Sequence, residues 1–246
     1  MNIRKNGGFL TLFMLLSGSI AMILRRQMYL TTVDEKGLLL RNSPLQISLM
    51  LLTVIVLIIP VLLLLKKNGS GRYADNYSGS YLSALGHIAA AVGIFLAVYP
   101  ASPVMDGYLG TAWKVLGFAA PACLILAGFQ QLSSRPPFFL LHVVPAMFFT
   151  LHIVSCYRLW SSNPQMQDYL FALLASLALT LFSHYTAAFE VGLGNRKLVL
   201  GAGLAAVFLC LAEMGCAEHP AFYFGCVLWA LTGICKVTLS QTEEKD

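Results

Sequence analysis

Charge is the scarcest commodity in this chain. Only 11% of its 246 residues are Asp, Glu, Lys or Arg, against about a quarter in soluble domains, and the mean hydropathy is +0.74. That shortage excludes an ordinary soluble globule and makes a lipid bilayer the expected solvent. Reactive motifs are missing as well. No HExxH, GxSxG, P-loop or dinucleotide fingerprint occurs, and no short spacing brings a nucleophile to a base or a metal to a carboxylate. Enzyme activity is therefore the weaker class, and the residue types name no particular cofactor. The six cysteines lack CxxC or metal-type spacing. Cys123, Cys156, Cys210, Cys226 and Cys235 fall in apolar runs with Cys216 at an outer end, and all read as small buried residues.

What the chain has is apolar length. A helix needs about 20 mostly apolar residues to cross the hydrocarbon core. Eight runs approach that length: Gly8 to Leu24, Ile47 to Leu65, Tyr81 to Tyr99, Tyr108 to Gln130, Phe138 to Tyr157, Tyr169 to Phe189, Leu198 to Cys216 and Ala221 to Leu239. The fold class expected is an all-α, polytopic transmembrane helix bundle. Its parts are residues 1–65, two helices with an outer loop; 66–80, a Gly/Ser/Asn-rich cytoplasmic linker; 81–240, a six-helix bundle; and 241–246, a cytoplasmic tail.

Cytoplasmic loops collect Lys and Arg, which orients the bundle. With the N-terminus inside, the inner side holds Arg4, Lys5, Lys66, Lys67, Arg72, Arg135, Arg196, Lys197, Lys236 and Lys245, whereas the outer loops hold Arg25, Arg26, Lys36, Arg41 and Arg158. Both termini are then cytoplasmic. This topology accounts for the net charge of +5, so nucleic acid is not an expected partner. The first run has the basic start and apolar middle of a signal peptide, but it lacks a small-x-small cleavage site and is long for a signal core, so it reads as a retained anchor.

The outer loop "RRQMYLTTVDEKGLLLRNSP" has two β-prone runs around Asp34 to Gly37, a pattern that suggests a short β-hairpin. "VDEKGLLLRN" and "YRLWSSNPQMQDYLF" resemble stretches of a family of uncharacterised bacterial multi-pass membrane proteins. The resemblance implies a bacterial cytoplasmic membrane and carries no activity.

Helical periodicity then sorts the polar residues. The sixth run aligns Ala172, Ser176, Thr180, Ser183, Ala187 and Glu190 on one stripe, with His184 at its edge. The third aligns Ser83, Gly86, His87, Ala90, Gly93 and Ala97; the fourth Gly110, Lys114, Gly117, Pro121 and Gly128; the fifth His142, Pro145, Phe149, His152 and Cys156; and the seventh Gly203, Ala206, Cys210, Glu213 and Ala217. Small stripes of this kind let helices approach closely in lipid, and Ser or Thr can bond across the contact.

Ionisable groups are costlier, at least about 2.5 to 3.5 kcal/mol at the bilayer centre. Lys114 and Glu213 lie at similar outer depth and are expected to pair, or to line a pocket with His152 for a small polar or anionic ligand. His87, His142 and His184, with Glu190, can share an inner layer. Such a layer can pack, relay protons, bind a metal or hold haem. The readings are small-molecule transport or ligand binding first, a scaffold or accessory subunit of a membrane complex second, and a haem or metal redox protein third. The expected partners are the lipid bilayer, a small-molecule ligand and a membrane protein.

Overall fold

In hydrocarbon every backbone N–H and C=O must find its partner within the segment, which makes a helix of each apolar run. The structure, a computed structural model, describes residues 3–32, 43–65, 80–99, 108–133, 138–160 and 169–239. Among these are eight α-helices and no strand: α1 (Ile3–Thr31), α2 (Pro44–Leu65), α3 (Tyr81–Val98), α4 (Tyr108–Gln130), α5 (Leu140–Trp160), α6 (Leu170–Glu190), α7 (Arg196–Met214) and α8 (Pro220–Leu239). Each holds a stretch long and apolar enough to span a membrane. The chain is a multi-pass helical membrane protein.

The first helix differs from its expected form. The apolar run ends at Leu24, yet α1 continues through Thr31. Arg25 and Arg26 are therefore helical rather than part of an outer loop, and Met28 to Thr31, which open the β-prone run "MYLTTV" before Asp34, form the last turn of a helix. The physical reason lies across the interface, where Arg25 meets a carboxylate on α7 and its charge need not end the span. The rest of the suggested hairpin, the 66–79 part of the linker and the 241–246 tail lie outside the described residues, as do 33–42 and 161–168 from the two stretches that carry the family resemblance.

Helices α3 to α8 close a ring: each packs on the next in sequence, and α8 returns to α3. Helices α1 and α2 sit outside it against α7, with α1 also touching α8. The α3–α8 seam is closed by glycines from both sides. A methyl group at Gly86 would strike Thr232, one at Gly93 would meet the Ala221 carbonyl, and one at Gly225 would meet the Ala89 carbonyl. Backbones this close gain dispersion contacts and lose no side-chain entropy, which is how helices associate in lipid.

Rings fill the interior. Trp229 of α8 is fully buried and meets Phe182 edge-on at 4.9 Å and Phe149 at 6.2 Å; Phe148, Phe149 and Phe222 continue the contact across the ring. This aromatic layer separates two polar centres near opposite ends of the bundle.

Candidate functional site

The first centre, called inner for the side on which the Lys and Arg bias is expected to place it, is built from three helix ends. At the start of α3, Ser80 caps the helix, its Oγ accepting from the Ser83 N–H at 3.2 Å, and the Ser80 N–H donates to the Gln131 carbonyl at the end of α4. One further turn places His87 inward on the predicted stripe, where it is buried. His142, at the start of α5, is fully buried, and its backbone carbonyl accepts from Ser183 Oγ of α6 at 2.6 Å. Glu190 ends α6 and is buried as well.

These residues form one chain of hydrogen bonds. His87 Nδ1 lies 2.7 Å from the Ser83 carbonyl, His87 Nε2 lies 3.0 Å from His142 Nε2, and His142 Nδ1 lies 2.9 Å from Glu190 Oε2. A carbonyl only accepts, so His87 must carry hydrogen on Nδ1. Three hydrogen bonds need three protons, and two neutral imidazoles supply only two. The third proton resides on His87, His142 or Glu190, and in every case the chain has zero net charge. Such neutrality is what permits its burial. When that proton leaves, one of the three bonds is lost and a carboxylate remains behind.

Glu190 Oε1 is the one buried side-chain oxygen or nitrogen among the described residues with no hydrogen-bond partner. Lys236 of α8, buried and bonded to Gln131 Oε1, lies within electrostatic range of both Glu190 and His87. Trp229 walls the site, its ring parallel to His142 within 9° at 6.2 Å and tilted against His87 at 5.9 Å.

His184 does not join this layer. It is exposed, beside Tyr185 on the outer side of α6. Two imidazole nitrogens at roughly 2.0–2.1 Å from one tetrahedral metal lie about 3.3–3.4 Å apart, and about 4 Å apart when trans, whereas the 3.0 Å between the two Nε2 atoms is a hydrogen-bond distance. Among the described residues no group of three or more His, Cys, Asp or Glu is placed to hold a metal ion.

The outer centre has a different composition from the one expected. Glu213 is buried on α7, and the Nη1 of Arg25 from α1 bonds to its Oε2. The Arg25 guanidinium also lies 5.0 Å above the centre of the Phe171 ring, a cation–π contact. The Cys216 thiol donates to the Arg25 carbonyl at 3.6 Å. Lys114 is exposed on α4, which packs on α3 and α5; Arg25 holds the place beside Glu213 that Lys114 was expected to take.

His152 lies toward this end, its ring stacked on Phe222 at 5.4 Å. Its Nδ1 is 3.2 Å from Ser176 Oγ, which donates its own proton to the Ala172 carbonyl, and 3.4 Å from Cys156 Sγ. Cys156 is within electrostatic range of Glu213, and His152 is within electrostatic range of His219.

Arg25, Lys236, Gln131 and Trp229 were not singled out from the sequence. Arg25 had a signal: Met14, Ser17, Ala21, Arg25 and Met28 recur every three or four residues, and all are buried. Comparison with protein-family models, curated proteins and solved structures returns no match.

Proposed function

We propose that this chain is a small-molecule transport protein of a bacterial cytoplasmic membrane whose movements are coupled to a proton held at the inner centre. One observation carries the reading: a buried hydrogen-bonded chain, anchored on the Ser83 carbonyl within α3, ties α3 to α5 through His87–His142 and α5 to α6 through His142–Glu190, and its three bonds need one proton more than two neutral imidazoles hold. Loss of that proton breaks one bond between helices and creates a buried negative charge. A change of charge at a helix junction biases one packing against another, which is how a chemical gradient drives a conformational step.

Further support comes from the division of the interior. The aromatic layer around Trp229 and Phe149 is a barrier between the two centres, and a transporter must keep at least one such barrier closed. At the outer centre a small anionic ligand would compete with Glu213 for the Arg25 guanidinium. The setting rests on the family resemblance and on the bias of Lys and Arg, which places His87, His142 and Glu190 toward the cytoplasm.

The test uses full-length protein in lipid vesicles under an imposed pH gradient, with a mixture of small polar metabolites outside and the vesicle contents read by mass spectrometry. At least one solute is expected to accumulate in a gradient-dependent way, and Glu190→Gln is expected to abolish that accumulation. Uptake indifferent to the gradient would reject the coupling. A second reading, an accessory subunit of a membrane complex, is favoured by the ring-filled interior. A second protein retained through gentle detergent extraction, with no uptake in vesicles, would select it.

A further inference from the structure

The buried proton needs a route to water, and the chain His87–His142–Glu190 supplies none by itself. Its far end stops at the Ser83 carbonyl, which holds a hydrogen bond and passes no proton onward. Its near end is Glu190, whose Oε2 is taken by His142 and whose Oε1 has no partner. Any exchange must therefore pass through the unpartnered oxygen.

The charged and titratable groups around that oxygen can be named from each neighbouring helix. Helix α5 contributes His142 and α3 contributes His87, both already in the chain. Helix α6 adds His184, which faces outward. Helix α7 begins with Arg196 and Lys197; Arg196 directs its Nε to the Val237 carbonyl at 2.6 Å, and Lys197 is half-buried. Helix α8 contributes Lys236 in its last turn, a primary ammonium that shares an electrostatic field with Glu190 and His87 and whose side chain is held by Gln131 of α4. Lys236 combines an exchangeable proton, a place at the end of the span and an electrostatic field shared with Glu190.

We infer that Lys236 is the gate residue of the relay, passing protons between water at this end of the bundle and Oε1 of Glu190. This rests on the proton-coupled reading above. The step balances simply. The Lys236 ammonium gives one proton to the Glu190 carboxylate, leaving a neutral amine and a carboxylic acid, and a hydronium ion then returns the amine to ammonium. Release runs the same steps in reverse. With the relay proton absent, the Lys236 charge offsets that of Glu190.

The experiment is an acid jump on purified full-length protein in detergent, with proton uptake followed by a pH-indicator dye in a stopped-flow instrument. Subtracting the Glu190→Gln trace isolates the relay from all other titrating groups. The expected difference is one proton per chain. Lys236→Met, corrected by the double variant Lys236→Met/Glu190→Gln, is expected to retain that amplitude but slow it about a hundredfold, the lower end of what a positioned acid–base group contributes. Lys236→Arg separates charge from proton exchange: it keeps a cation but is always protonated, so it too should be slow.

Gln131→Leu controls for a merely structural role. It releases the Lys236 side chain without removing the ammonium, and uptake is expected to slow by less than about tenfold, against about a hundredfold when the acid–base group itself is removed. Equal slowing by Gln131→Leu and Lys236→Met would reduce Lys236 to a clamp between α8 and α4 and overturn the inference. Unslowed uptake by Lys236→Met would do the same while leaving the relay intact. A zero difference between the wild type and Glu190→Gln would remove the shared proton itself, and with it both this inference and the coupled function.

Discussion

The two buried polar centres of this protein solve the same problem by opposite means. At the outer end a permanently charged guanidinium meets a carboxylate directly and rests on an aromatic ring. At the inner end two imidazoles and a carboxylate form a hydrogen-bonded chain that is neutral when three protons are shared along it. The outer centre is stable because Arg stays charged at any physiological pH; the inner one can change state because its neutrality depends on a titratable proton. The outer pair joins α1 to α7, while the inner chain joins α3, α5 and α6 inside the ring, so a fixed link fastens the outer helices and a changeable one lies within.

The strongest way to break this comparison is to remove half of the outer pair. Arg25→Ala leaves Glu213 buried without its cation, and losing one partner of a buried ion pair costs about 3–5 kcal/mol. A large fall in thermal unfolding temperature in detergent is expected. The double variant Arg25→Met/Glu213→Leu replaces both charges with apolar groups of similar reach and should recover most of the loss. Failure of the double variant to recover would mean that the pair positions α1 by more than charge cancellation.

A finer probe makes the same substitution at both ends. At the inner end, Glu190→Gln is nearly isosteric, and the new amide donates to His142 Nδ1 as a protonated carboxyl would. Its effect on stability should stay within about 1 kcal/mol, the scale of one neutral hydrogen bond. At the outer end, Glu213→Gln removes the charge that Arg25 requires and should cost about 1–3 kcal/mol, the desolvation penalty of a buried group left short of its partner. Thermal unfolding of the two variants in one detergent compares them directly. Equal losses would mean that the inner centre is also a fixed ion pair, with no shared proton.

Much of this architecture is legible in the sequence because lipid makes composition speak plainly. Apolar runs of about 20 residues became helices whose ends, those of α1 excepted, moved by only a few positions, and the stripe through Ser176, Ser183 and Glu190 lies buried. The depth of His87, His142 and Glu190 could be read from their distance along their helices. Adjacency could not, because periodicity gives each helix a face but does not say which other helix that face meets. Placing Lys114 beside Glu213 followed from depth alone, whereas the true cation came from α1, hidden at the edge of an apolar run that was taken to end at Leu24. Lys236 was counted among flanking charges for the same reason: hydropathy marks where a span ends, and a long side chain can turn back into the bundle from there.

Lys114 provides the smallest expected effect and the cleanest check on that last point. Its residue is exposed although its stripe mates Gly110, Gly117, Pro121 and Gly128 are buried. A lysine near a helix end can lay its methylene stem along apolar surface and lift its ammonium toward the interface, so it can share a helical stripe with packed glycines without entering the core. Lys114→Met should therefore shift stability by no more than about 0.5 kcal/mol, as for surface positions generally, and should leave the acid-jump proton uptake unchanged in amplitude and rate. A loss of 2 kcal/mol or more, which is the scale of an uncompensated buried group, would place the Lys114 ammonium inside the bundle. Arg25 would then share the outer carboxylate with a second cation, and the contrast between a closed outer pair and an adjustable inner chain would fail at its fixed end.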